Sequence, residues 1–585
     1  MIDKLAAYRR GDAPLPKTNR LWPLYGAGLE NLGKNGRAID VRTPEHGPDE
    51  LLVRHDACGL CFSDIKVINL GEKHPRVFRD IKKEPLVLGH EVAITVLSVG
   101  ENLRGQYKVG DRFIVQADIR AGGVGHAYGY MIQGGLSQVN VLDQRVLNGD
   151  DGSYLIPVRS ATGYAESALV EPWACVIAAY RLQYRIALKQ GGTLWIIGPA
   201  SMSGEEPPYT ISAGFDEQSH PARLLLTNAP PRFAAWLKSR AAALGVEVIE
   251  AADLSAAPAV EPAVVPCFRK GVDDMVFLDP TPEVIEAASP RLADFGVAAL
   301  IGDLHLTRPV SIDVGRVHYN RWVYVAGKSP DVARAYGDVP ARSALRKGGR
   351  AWFVGAGGPM GRMHVQRAIE IADGPATIVC SDVSDLRLND LCTSYAAEAK
   401  AKGIRWVCVN PTNKEAHQAV GAMAEFRRDG FDDIIVLAPI PAVISDAAHY
   451  LGPRGVMNVF AGVARGTMVN LDLTDLFRRD GRVIGHSASA IEDMQVMLRQ
   501  VEAGELDTNR SLAALGSLDA TKDGFQAVID TMFPGKVVIF PCIKDMPLTP
   551  LPDLKEKLPT VYARLKGGRE WTKEAEDEFL RLMLP

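Results

Sequence analysis

The stretch GVDDMVFLDPTPEVI, beginning at Gly271, returns as GFDDIIVLAPIPAVI from Gly430, a constant offset of 159 residues (430 − 271). Over 271–297, twelve of twenty-seven positions are identical in the two copies, against about 2 expected from ordinary composition. The register runs without a gap to Asp313 and Asp472, and upstream GGTLWIIGPASMSG (191–204) pairs with GGRAWFVGAGGPMG (348–361). At 585 residues the chain exceeds what one core can hold. The repeat requires two of its domains to share one architecture. Each copy alternates short apolar strands with helices, the texture of a parallel sheet with covering helices.

The copies differ at the turn after their first strand. In the second, AWFV runs into Gly355, Gly357, Gly358, Pro359, Met360 and Gly361 and then a helix. Glycines there permit a tight turn and close approach of backbone to a pyrophosphate, with a helix N-terminus aimed at its charge. The next strand, TIVCSDVSDLRL, ends at Asp382, 21 residues after Gly361, with Arg387 just beyond. An acid at that distance accepts bonds from ribose hydroxyls and repels a 2′-phosphate, which favours NAD over NADP. The unit is Rossmann-like. In the first copy Ala200 and Ser201 replace Gly357 and Gly358, the run Glu205–Pro208 replaces the start of the helix, and RLLLTNAPP ends without an acid. That loop cannot build an amide-lined anion site.

Residues 1 to about 185 are different in texture: short apolar runs between Gly and Pro turns, as in a compact β-rich domain. Within it Cys61, His90 and Glu91 put a thiolate, an imidazole and a carboxylate inside one window, a set suited to Zn²⁺. Glu91 either ligates or supports His90. Ser63, two residues beyond the cysteine, is placed to pass a proton. The lobe EKHPRVFRDIKKE carries five Lys/Arg against three acids, either as a solvated loop or as an anion contact through Lys66, His74 or Arg76. With a net charge of −4 and both signs interspersed, no global field points to nucleic acid or membrane. The N-terminus lacks a signal-peptide apolar region, and eight scattered cysteines suit a reducing compartment, so the expected location is cytoplasmic.

Cys61, His90 and Glu91, followed by VGENLRGQYKVGDRF, resemble the zinc-dependent medium-chain dehydrogenase/reductase family. LCFSDIK, GEKH and the tail FPCIKDMPLTPLPDL are similar to its L-sorbose 1-phosphate reductase and sorbitol dehydrogenase-like members. The resemblance covers most of 50–185 and 348–585. It implies an α/β protein: a GroES-like catalytic domain (1–188, completed by 500–585), a degenerate Rossmann-like doubly wound parallel-sheet domain (189–346) and an NAD-binding one (347–499). It further implies one catalytic zinc on Cys61, His90 and Glu91, with Glu171 of the LVEP motif a further ligand or water partner and Cys175 one turn on. Many relatives hold a structural zinc on four cysteines after the position of Asp118. IRAGGVGHAYGYMIQGG has none, so no structural zinc is expected and His126 reads as a loop histidine. Lys66 stands where many alcohol dehydrogenases complete the proton relay with histidine.

The implied reaction is zinc-dependent hydride transfer between NAD(H) and a polyol or ketose, with sugar phosphates among the substrates. Two other readings stay open: transient oxidation by tightly held NAD for epimerisation or elimination, and a non-catalytic NAD sensor or scaffold. Expected partners are small molecules only. The two Rossmann-like domains are expected to join as an internal pseudo-dimer through 321–329 and 481–489, the whole chain being a monomer or a homodimer.

Overall fold

A computed structural model of the chain describes residues 4–12, 15–199, 204–254, 271–303, 305–337 and 342–585. They form two compact units, one from Met1–Ala178 with Ala488–Pro585, the other from the chain between. Among the described residues no helix is long and apolar enough to cross a membrane.

The main sheet of the first unit has eight strands in a chiefly antiparallel arrangement. Leu51–Gly59, buried along its whole length, lies at its centre between Glu91–Val99 and Lys536–Phe540. Ile539 pairs with Cys58 and Val538 with Gly59, so a strand from the C-terminal part of the chain flanks the strand that leads into Cys61. The helix Ile491–Glu502 belongs to this unit, where Glu502 accepts the Arg159 backbone N–H at 2.8 Å. The boundary expected at 499/500 therefore lies near 487/488.

The second unit holds one twelve-stranded sheet. Its strands are β1 (Thr193–Ile197), β2 (Arg223–Thr227), β3 (Glu247–Glu250), β4 (Val272–Leu278), β5 (Leu292–Ile301), β6 (Val323–Gly327), β7 (Arg350–Val354), β8 (Thr377–Ser381), β9 (Arg405–Val409), β10 (Phe431–Val436), β11 (Leu451–Val459) and β12 (Arg482–Gly485). Their order is β3-β2-β1-β4-β5-β6-β12-β11-β10-β7-β8-β9. Each half, counted from its own first strand, runs 3-2-1-4-5-6, the doubly wound order. All neighbours are parallel except β6 and β12, which meet antiparallel. Both faces are covered: Trp195 and Ile197 pack into one apolar layer, Leu194 and Ile196 into the other. Such strands read as unbroken apolar runs rather than alternating ones.

The repeat extends to single hydrogen bonds. Arg185 pairs with buried Asp274, whose other oxygen takes the Lys189 backbone N–H at 2.9 Å. Arg342 pairs in the same way with Asp433, which takes the Arg346 N–H at 2.8 Å. The Trp195 indole donates to Thr227, and that of Trp352 to Ser381, both at 3.0 Å. Between the halves, Val310–Asp313 and Met468–Leu471 form a second antiparallel contact. There Ser311 faces Asn470, and in the sheet Tyr324 faces Val483; each pair is 159 positions apart. Equivalent residues facing one another in this way mark a local two-fold axis.

Candidate active site

In the first unit, Cys61 is the N-cap of the helix Phe62–Leu70: its Sγ accepts the Ser63 N–H at 3.4 Å, while Asp64 reaches back to the Cys61 N–H at 3.2 Å. This is a capping box with a thiol in the usual hydroxyl position. Asp64, fully buried, also accepts from His90 Nδ1 at 3.1 Å and from the Gly89 N–H at 3.4 Å. Gly89 has φ +96°, and a Cβ there would lie 2.6 Å from Cys58 Sγ, so the turn delivering His90 requires glycine. Glu91 begins the neighbouring strand and packs against Gly59, where a Cβ would fall 2.1 Å from its Oε2. Its Oε1 takes a 2.5 Å bond from Lys536 Nζ, whereas Oε2 is buried without a partner.

One donor atom from each of Cys61, His90 and Glu91 lies within 4.8 Å of the others, the one such group among the described residues. Glu171 is outside it. Burial raises the Glu171 carboxyl to about 7, helped by Glu91 and Asp118 and opposed by His90 and Lys536. It therefore shares the field of the trio. Burial lowers the His90 pKa, but Asp64 and Cys61 outweigh it and the net shift is upward. Burial likewise opposes the charge on Lys536, and Glu91 more than restores it. Burial, and then Glu171, push the Cys175 thiol up.

The remaining expected residues are placed unevenly. Ser63 is half-buried, and its carbonyl accepts from the Tyr130 hydroxyl at 3.4 Å. Lys66 lies one turn on and helps lower His74, whose pKa burial, Arg76 and Lys66 bring to about 4. Arg76 is not a spare cation: it pairs with Asp118 at 2.6 Å. His126 stays apart from the trio, its ring set edge-on to Phe78. Sequence reasoning missed Asp64, Lys536 and Tyr130. Asp64 was findable, as an acid three residues after a capping cysteine.

In the second unit the glycine turn is tightly built. Gly355 has φ +83°, and Gly361 sits where a Cβ would come 2.6 Å from the Gly355 and Ala356 carbonyls. Gly358 caps the helix Pro359–Glu370, with half-buried Met360 in its first turn. The Gly357 N–H donates to Asp382 at 3.0 Å, and a Cβ on Gly357 would meet Arg387 and Asp382 below 3.0 Å. Turn, acid and arginine thus form one surface.

The first half differs. Ala200 and Ser201 lie outside the described residues. From Gly204 to Ala222 there is no helix, and Asn228 takes the place of Asp382 after β2. The Glu206 carboxylate accepts the N–H groups of Arg232 and Phe233 at 2.9 and 2.8 Å, at the start of the helix Pro231–Leu244. The corresponding helix of the second half, Asp385–Ala401, is capped by its own Ser384.

Residues 47–176 match the family model of the alcohol dehydrogenase GroES-like domain. The mannitol-1-phosphate 5-dehydrogenase of Aliivibrio fischeri is 33% identical over 184 residues, 28% of this chain and 41% of that protein. The L-sorbose 1-phosphate reductase of Klebsiella pneumoniae is 30% identical over 173 residues, 29% of this chain and 41% of that protein. The alignments thus span less than half of either relative. The crystal structure of 2R,3R-butanediol dehydrogenase from Bacillus subtilis shares the fold, with a TM-score of 0.50 at 15% identity over 89% of this chain and 99% of that one.

Proposed function

We propose, for a chain that belongs to the zinc-dependent medium-chain dehydrogenase/reductase family, that it transfers hydride between NAD(H) and a polyol or ketose, sugar phosphates included. The Cys61/His90/Glu91 group carries this reading. A half-buried thiol beside a buried imidazole and a buried carboxylate, with one carboxylate oxygen unpartnered, forms the donor set of a zinc site. When bound, zinc polarises a substrate oxygen and NAD exchanges the hydride.

The chain's own residues supply the rest. Asp64 accepts a hydrogen bond from the Nδ1–H of His90 and so leaves the Nε2 lone pair free to ligate. Lys536 fixes one oxygen of Glu91 and leaves the other free. Glu171 serves as a fourth ligand or holds a water. Ser63 moves the hydroxyl proton outward, with Lys66 next in line. In the second unit the Gly355–Gly361 turn receives the pyrophosphate, Asp382 the adenosine ribose, and Arg387 the adjoining edge. The Asp382 carboxylate disfavours a 2′-phosphate. The first half binds no dinucleotide and occupies a partner's place in an internal pseudo-dimer, a role supported by the β6/β12 pairing. The names of the two polyol-phosphate relatives support the substrate class.

Metal analysis of the purified protein, with NAD-linked turnover of polyols and ketose phosphates, tests the proposal. One zinc per chain is expected, and Cys61→Ala should lose both metal and turnover. Two zincs, or a fully active Cys61→Ala, would overturn it.

A further inference from the structure

Three of the chain's cysteines gather at one edge of the second unit's sheet, two on its last strands and one on a covering helix. Cys380 on β8 and Cys408 on β9 are register partners, and Cys392 projects from the helix Asp385–Ala401 onto Cys408, Sγ to Sγ 2.8 Å. All three are free thiols; Cys392 and Cys408 are half-exposed, and Cys380 is buried. The Trp406 indole donates to Cys392 Sγ at 3.4 Å and fixes that sulfur over β9. β9 is five residues long and hydrogen-bonds on one side only, to β8. An edge strand of that kind has the least to hold it.

We propose that Cys392 and Cys408 are a redox-active dithiol that closes to a disulfide and pins the helix to the edge strand. The chemistry balances with a small disulfide as oxidant. One protein thiolate attacks a sulfur of the oxidant, forming a mixed disulfide and expelling one small thiolate. The second protein thiolate then displaces the other. Two protein thiols become one S–S bond, one small disulfide is reduced to two thiols, and the two protons pass to the released thiolates. Contact with Cys408 holds Cys392 above the usual thiol range, and Cys380 behind it raises Cys408 to about 12. Thiolate is scarce at neutral pH, and closure should quicken about tenfold per pH unit between 7 and 9. In a reducing compartment the bond is a response to oxidative conditions rather than a permanent staple.

The test incubates the reduced full chain with glutathione disulfide at pH 8, traps remaining thiols by alkylation, and maps peptides. The expected product joins Cys392 to Cys408, lighter by two hydrogens, with slower amide exchange along β9. Cys380→Ser should form the same Cys392–Cys408 link, no more slowly than the parent; Cys392→Ser and Cys408→Ser should carry only a glutathione adduct on the remaining cysteine. A Cys380–Cys408 link, or stable adducts at both cysteines of the parent with no link, overturns the proposal.

Discussion

The two halves of the twelve-stranded sheet keep the same frame and differ at its rim. Both retain the Arg–Asp pair under the sheet, the indole bond across their first two strands and the apolar layers on either face. They part at the turn after the first strand. One half keeps Gly355–Gly361 against Asp382; the other shows no helix over its described residues 204–222 and seats Glu206 on the N-terminus of the helix Pro231–Leu244. Stability and the proposed cofactor recognition therefore rest on different residues of one unit, and the second set can change while the first persists.

The comparison breaks most readily at the frame. Asp274→Ala and Asp433→Ala should each cost about 3–5 kcal/mol, because each removes a buried carboxylate that holds a half-buried guanidinium and a backbone N–H. Denaturant unfolding of both variants checks this, and a near-neutral result in either half would show that the frame is not equally retained. At the rim, Asp382→Ser should shift the NAD-to-NADP preference by about 2–4 kcal/mol toward NADP, on the order of 30- to 1,000-fold in kcat/KM ratio. Calorimetric titration should find one NAD per chain; a second site would erase the distinction between the halves. Smallest is Glu206→Gln, which weakens an N-terminal cap and should cost about 1 kcal/mol of stability. NAD affinity should stay unchanged, and a gain in nucleotide stoichiometry would mean that Glu206 alone keeps the first half closed.

What could be read from the sequence follows the range of the interactions. The repeat, the glycine turn and the Cys61/His90/Glu91 window are local or periodic, and they were legible. Lys536 was not: it meets Glu91 from 445 positions away, and nothing near GKVVIF names its partner. Arg76 shows the same limit: counting cations in its lobe left a solvated loop and an anion contact both open, and nothing in the lobe names Asp118 as its partner. Glu206 was read only as part of a run that cannot start a helix; that its carboxylate caps the helix Pro231–Leu244 was not legible, because nothing near EEPP names that partner.

The local two-fold axis has a consequence for how such a protein changes. In a dimer of identical chains, a residue on the axis meets its own twin, so every substitution there arrives twice and must tolerate itself. Here the axis is crossed by Ser311 against Asn470 and by Tyr324 against Val483. A bulky ring can face a small side chain at the point where identical subunits would have to place two rings or two valines. Because one chain carries both sides, the joint also holds at any dilution, with no monomer to fall back to.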